Sequence, residues 1–431
     1  MTLYYLFLLL TPFQTHPKLG ATLVSIGGFP VTPIKIEGLL TLAASFLLPR
    51  PRYAARHLST PISLLYGAFA CFPLFATVLL QRPFPLAFSS EIVSFTILLI
   101  ATRQLISTPN RFVKAIRTLM FAEAFGTLWL YKQYYLLHYL HPNGPVDDSN
   151  YEALAIVMAI PVSVWILCYD KSRWWRGIAL GSTVLLAFGV FVTQSRGGLV
   201  ALVVLAVGGW FQSSRKLRAL LLVGGAVAMM ALASPQTTWD KLRHVKVSGD
   251  GPMNGDELST RSRIEVWRGG LRMIASNPIF GVGPDQFKQV LPQYNPGILR
   301  TAHRSFIAHN TYVQIGAEGG IPSLALFLGI LVVALRNCRA AEKRAVGIGD
   351  WQLDQAGVAI RLGLIAFAVA AFFLTATFSK ELWLFVFLSQ NIREIVTSES
   401  GMPGRTKPQP TKPHRIGVVE RTRVREAASR G

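Results

Sequence analysis

Three short polar segments of this 431-residue chain carry side chains suited to chemistry on an anionic substrate. The first is Gln194-Ser195-Arg196-Gly197-Gly198, set in otherwise apolar sequence. Arginine at bilayer depth costs ~2.5–3.5 kcal/mol on insertion scales and usually faces a cavity or bundle interior. Its planar fork can grip a phosphate through two parallel hydrogen bonds, and the glycines permit close backbone approach. Two readings stand open: a phosphate-binding arginine supported by Ser195 and Gly197, or an interfacial arginine beside a glycine turn. The second segment holds Arg261 and Arg263, which in isolation read as solvated-face charges. The third is Ala308-His309-Asn310. Histidine titrates near neutrality and so can take the proton of a sugar hydroxyl; an interfacial histidine at a helix start is the plainer alternative. His303 and Arg304 stand close enough to share such a role.

Downstream of His309, Asn310, Gln314 and Glu318 recur every four residues and so share one helix face. Glu318 falls ~12 Å along the helix from Asn310. A carboxylate there is expected to be protonated, paired or water-facing, so this face should line a cavity. The three cysteines, Cys71, Cys168 and Cys338, form neither a disulfide framework nor a metal-ligand spacing, and no phosphate-binding glycine loop stands in a strand–helix setting. Neither a metal nor a cofactor is expected.

The elements that must position these residues are membrane helices. Hydrophobic residues make up 51% of the chain and charged residues 15%. Basic residues outnumber acidic ones 43 to 22, a net +21 that in a soluble chain would point to nucleic acid. The apolar runs are too long and numerous for a soluble core, and nucleic acid is not an expected partner. The composition predicts an all-α, polytopic transmembrane bundle. Spans of about 20 residues fit near 34–49, 61–80, 86–102, 112–131, 151–169, 174–193, 197–212, 217–234, 310–335, 357–378 and 381–397. One further span within 2–30 makes about 12, with the N-terminal apolar stretch retained.

Charge assigns the sides. Basic clusters at Arg50–Arg56, Arg103–Arg117, Lys171–Arg176, Arg215–Arg218 and Arg336–Arg344 all follow even-numbered spans, so all can face the cytoplasm together. Much of the +21 is then topology and contact with anionic membrane lipid. The chain divides into N-terminal spans (1–140), spans carrying the Ser-Arg-Gly-Gly segment (141–235), one large outer loop (236–308), C-terminal spans (309–397) and a basic cytoplasmic tail (398–431) expected to be disordered. A loop this long is usually functional or disordered, and this one has enough apolar residues to fold. Within it, Ile264, Trp267, Leu271 and Ile274 give Arg261–Ala275 a helical period, with Arg261, Arg268 and Arg272 opposite, which suits a helix lying flat on the membrane. Asn277-Pro278 stops that helix and Gly281-Val282-Gly283-Pro284 makes a tight turn.

Four segments in order resemble the O-antigen ligase and polymerase family of bacterial envelope glycosyltransferases: Asn150-Tyr151-Glu152-Ala153 with Met158-Ala159-Ile160-Pro161; Thr193 through Leu199; Arg263-Ile264-Glu265-Val266-Trp267 with Asn277 through Gly283; and His309-Asn310-Thr311-Tyr312 with Ala317 through Pro322. The resemblance covers roughly 147–335. It implies a metal-independent, inverting transfer at the periplasmic face of the bacterial inner membrane, with undecaprenyl-diphosphate-linked glycan as donor. By carry-over, Arg196 and Arg263 bind the diphosphate and His309 activates the acceptor hydroxyl. Ligation onto lipid A core is the first reading of the acceptor. Polymerisation of repeat units and protein O-glycosylation are alternatives that the sequence does not separate. A transporter of the same lipid-linked glycan fits less well, because the two halves show no internal repeat.

Overall fold

The computed structural model describes residues 1–13, 21–26, 29–47, 60–139, 142–146, 148–212, 255–296 and 307–400, with side chains of the helix beginning at Gly255 described from Arg263 on. The expected span at 217–234, the basic tail, and the Arg261, His303 and Arg304 side chains lie outside what is described. Among the described residues the chain is overwhelmingly helical, with one small antiparallel hairpin of β1 (Val24–Ile26) and β2 (Phe29–Val31). The α-helices are α1 (Thr2–Leu10), α2 (Pro33–Leu47), α3 (Pro61–Leu79), α4 (Leu86–Leu105), α5 (Pro109–Tyr131), α6 (Ser149–Tyr169), α7 (Arg173–Val192), α8 (Arg196–Gln212), α9 (Gly255–Ser276), α10 (Phe287–Tyr294), α11 (Thr311–Gly347), α12 (Trp351–Ala370) and α13 (Lys380–Ser400).

Six helices, α3, α4, α6, α7, α11 and most of α12, are long and apolar enough to cross a membrane. Helix α8 is apolar but shorter, and α5 and α13 carry additional charges such as Arg117, Glu123, Glu381 and Glu394. Local sequence sets the helix starts. Thr60-Pro61 and Thr108-Pro109 pair a capping hydroxyl with a proline that needs no N–H donor at the first helical position. Asp148, Ser172, Asn310 and Asp350 cap α6, α7, α11 and α12 through their side chains.

Packing relies on small residues and aromatics, as expected where lipid is as apolar as the helix surface. Ala334, Cys338, Ala341 and Ala345 recur every three or four residues on the buried side of α11, which packs against α12 and α13. Trp383, fully buried, meets Tyr66 edge-on and Phe69, Phe95 and Phe387 at tilted angles, joining α3, α4 and α13.

Helix connectivity gathers the α3–α4, α5–α6, α7–α8 and α12–α13 connections at the end of the bundle from which α11 starts. Several of the basic residues used to assign sides lie toward the other end, where some are spent on packing. Arg103 pairs with Glu394 at 3.1 Å and Arg117 with Asp170 at 2.5 Å, tying α4 to α13 and α5 to the α6–α7 turn; Arg361, outside those clusters, pairs with Glu342 at 2.7 Å and ties α12 to α11. These arginines hold helices together and, each being matched by a carboxylate, add nothing to the positive excess.

Two helix boundaries differ from expectation. Helix α12 ends at Ala370, so 371–378 is a loop instead of the end of a span. Helix α11 runs to Gly347 but breaks at Gly320, whose φ of 75° lies in the left-handed region. Pro322 brings no N–H to the Glu318 carbonyl, and the Ile321 N–H turns away to the Pro278 carbonyl at 2.8 Å. The stranded carbonyls of Ala317 and Glu318 instead accept the N–H groups of Val282 and Gly283 at 2.8 and 2.9 Å. A Cβ on Gly320 would lie 2.2 Å from the Ile279 carbonyl oxygen, and one on Gly281 2.4 Å from the Glu318 carbonyl carbon. The Asn-Pro…Gly-Val-Gly and Glu-Gly-Gly-Ile-Pro segments are thus two halves of one backbone joint that seats the loop on α11.

Candidate functional site

Each site residue is placed by a short polar device at this end of the bundle. Ser195 caps α8, its Oγ accepting the Gly198 N–H at 3.2 Å while donating to Asn150 Oδ1 on α6 at 2.9 Å. Gly197 and Gly198 let the helix start approach its neighbours. A Cβ on Gly197 would sit 2.8 Å from the Phe373 Cβ, and one on Gly198 2.7 Å from the Ala153 Cβ. Gln194 takes a φ of 54° to turn the chain into the helix. With Ser195 and both glycines buried, Arg196 is exposed at the first helical position. Its charge adds to the positive end of the α8 dipole, a combination that favours an anion.

Arg263 lies on α9. Three and four residues on, Val266 and Trp267 anchor that helix: Val266 is buried, and Trp267 Nε1 donates to the Ala308 carbonyl at 2.8 Å. The buried face of α9 is Val266, Gly269, Gly270 and Met273, packed on Phe287, Leu291 and Val313. Ile264 and Leu271, whose period marked the helix in the sequence, are 43% and 57% exposed. The helix was legible, but its packing face was not: two glycines carry no apolar signal.

His309 sits between two fixed points, the Ala308 carbonyl held by Trp267 and the α11 cap at Asn310. Its φ of 45° is uncommon for a residue other than glycine, and such conformations persist where the surroundings over-determine them. Asn310 is buried and its Oδ1 accepts the N–H groups of Tyr312 and Val313 at 3.0 and 3.1 Å. It is a helix cap and not the top of a polar stripe; Gln314 and Glu318 do line a cavity, as expected. That cavity, about 380 Å³, is also bordered by Asp148, Tyr151, Lys288 and His309. Glu318 Oε1 accepts the Phe287 N–H at 3.2 Å and lies 3.4 Å from Gln314 Nε2.

The electrostatics show that these groups act on one another. Burial lowers the Arg263 pKa, the nearby Arg196 charge lowers it further, and Asp148 opposes both. Burial likewise pushes the His309 imidazole below its usual range, helped by the Arg263 charge and opposed by Asp148. The neutral imidazole, which can accept a proton, is therefore the favoured form at neutral pH. The loop at 371–378 closes the other wall. Thr311 Oγ1 donates to the Leu374 carbonyl at 2.7 Å and accepts the Ala376 N–H at 2.9 Å, and the Tyr151 hydroxyl donates to the Thr375 carbonyl.

Residues 181–328 match the family model described as O-antigen ligase. Over that stretch the chain is similar to the O-antigen ligase family. The match runs from α7 to the upper part of α11 and holds Arg196, Arg263, His309 and Glu318, in agreement with the resemblance read from the segments. No curated protein matches the chain. The structure brings Arg196, Arg263 and His309 of the matched stretch close enough to act on one another, with Gln314 and Glu318 farther along α11. Sequence reasoning passed over Asp148, Tyr151 and Lys288. Asp148 had a signal, an aspartate directly before an apolar helix and therefore a cap, whereas its facing His309 comes only from the fold. Tyr151 and Asn150 fall in the first segment of the resemblance, which precedes the matched stretch, and their role as a tether for Ser195 and the 371–378 loop follows only from the fold.

Proposed function

We propose that the protein transfers a glycan from undecaprenyl diphosphate to an acceptor hydroxyl at the periplasmic face of the bacterial inner membrane, most simply as an O-antigen ligase acting on lipid A core. The observation that carries this reading is that two guanidinium groups, Arg196 and Arg263, lie within electrostatic reach of a neutral-leaning histidine, His309, which borders the cavity. In this reading the arginines hold the donor's diphosphate. His309 accepts the proton of the acceptor hydroxyl as its oxygen attacks the anomeric carbon from the face opposite the phosphate. The bond from that carbon to the phosphate oxygen breaks, its electron pair leaves on the diphosphate, and the new glycoside has inverted configuration. Fixed cations stabilise the developing charge on a group that already leaves well, so the step has no need of a metal. Partial burial of Arg263 strengthens its contact relative to water.

The basic clusters toward the opposite end support a cytoplasmic assignment for that end and a periplasmic one for the site, within a bundle of about 12 spans. Incubating the purified protein with undecaprenyl-diphosphate glycan and three acceptors tests the reading. Glycan on lipid A core is the expected product. Glycan on a second lipid-linked glycan makes the protein a polymerase, and glycan on a protein hydroxyl makes it an oligosaccharyltransferase. Relocated but unconsumed donor would overturn transfer in favour of transport.

A further inference from the structure

A second, larger cavity of about 570 Å³ lies between α2, α4 and the β-hairpin, outside the site described above. Its wall is mostly apolar, including Ile34, Leu39, Val93 and Ile97. Leu39 and Val93 are 52% and 54% exposed, so hydrocarbon forms the lips as well as the wall. One end is polar. Lys35 Nζ donates to Ser90 Oγ at 2.6 Å, and Glu91, Ser94 and Lys380 complete that end. The first turns of α4 divide this cleft from the reactive cavity: Ala87 borders the latter, Ser90 and Glu91 border the former. Asp285, on the reactive side, accepts the Phe88 N–H at 2.9 Å and acts electrostatically on Glu91. Arg196 and Arg263 stand on α8 and α9.

A transferase working between two membrane amphiphiles must hold both at once. Each tail has to stay in hydrocarbon, because withdrawing it costs ~0.8 kcal/mol per CH₂. Each substrate therefore enters from the flank of the bundle. The arginine flank suits the diphosphate of the carrier lipid. The α2–α4 cleft offers an apolar slot ending in two ammonium groups, hydroxyls and a carboxylate. That set fits an acylated head group that bears both phosphate and sugar hydroxyls.

We propose that the α2–α4 cleft docks the lipid acceptor, a phosphorylated and acylated glycolipid, and presents its head group past the start of α4 to His309. The proposal deepens the reading under Proposed function and rests on it for the identity of the acceptor.

The test uses full-length protein in vesicles of phosphatidylethanolamine and phosphatidylglycerol with a trace of phosphatidylglycerol carrying a diazirine in its acyl chain. Photolabel is expected on α2 and α4 around Leu39 and Val93. Lipid A should reduce it at least fivefold, undecaprenyl diphosphate should not, and Ser94→Trp, which fills the cleft, should remove it. Kinetically, Ser94→Trp should raise the acceptor KM at least tenfold and leave the donor KM unchanged. Should that variant fail to fold, Lys35→Ala takes its place and should raise the acceptor KM alone. Label indifferent to lipid A, label displaced by undecaprenyl diphosphate, or equal changes in both KM values would overturn the proposal. If the wild type transfers nothing to any acceptor, the transferase reading fails, and displacement of label by lipid A still decides what the cleft binds.

Discussion

Trp267 Nε1 donates to the Ala308 carbonyl at 2.8 Å, and this bond fixes the distance between α9 and the start of α11. Arg263 lies one turn before the indole and His309 follows the acceptor carbonyl, so the contact sets how the guanidinium faces the imidazole. Trp267→Phe keeps most of the ring and removes the donor. Loss of one such bond, ~1 kcal/mol, should lower transfer about fivefold with little change in thermal stability. A steady-state assay beside a melting curve checks it, and unaltered transfer would remove Trp267 as a positioning residue.

The pH profile should carry the signature of His309. Its pKa is depressed, so the proton-accepting form persists below the usual histidine range and is lost only as pH falls further. Transfer by the wild type should be level through neutrality and fall on the acid side, with the limb below ~6.5. Asp148 opposes the depression, so Asp148→Asn should move the limb to lower pH. Arg263→Gln should move it to higher pH, alongside weaker donor binding. Rates measured against pH for the three proteins decide this; limbs that coincide would contradict the electrostatic assignment.

The backbone joint between the 278–283 segment and α11 makes a steric prediction. Ala at Gly320 or Gly281 would place Cβ against main-chain atoms of the opposing segment and would hold an L residue at positive φ. Each substitution should destabilise by more than ~2 kcal/mol. Gly329→Ala meets nothing nearer than 3.9 Å and should be nearly neutral. Thermal melts of the three variants check the contrast, and equal melting points would mean that the joint does not hold the loop.

Asn150 and Ser195 make a coupling prediction. Asn150→Ala frees the Ser195 hydroxyl, while Ser195→Ala also removes the α8 cap, worth ~1 kcal/mol. In a double-mutant cycle the two should be non-additive by at least ~0.5 kcal/mol, both in stability and in donor affinity. Additive losses would show that α6 does not position Arg196.

Much of this was readable from residue types alone. Apolar run length located α3, α4, α6 and α7 to within a few residues, because a span must bury every backbone group along ~30 Å. The isolated Arg196 and His309 stood out because charged and titratable groups are costly in such sequence. Three features were hidden for identifiable reasons. The α9 packing face depends on Gly269 and Gly270, which an apolar pattern cannot register. The end of α12 at Ala370 is masked by the apolar residues that continue through 371–378. Asn310 shares a face with Gln314 and Glu318 by periodicity, yet its capping role follows from being one residue ahead of Thr311, where helix geometry begins.

The most direct measurement is single-turnover transfer of lipid-linked glycan by purified wild-type, His309→Ala and Arg196→Ala protein, with donor binding measured in parallel. His309→Ala should bind donor and fail to transfer, while Arg196→Ala should lose donor affinity and Arg196→Lys should regain only part of it, since a lysine cannot reproduce the bidentate grip. Near-normal turnover by His309→Ala would contradict the central claim.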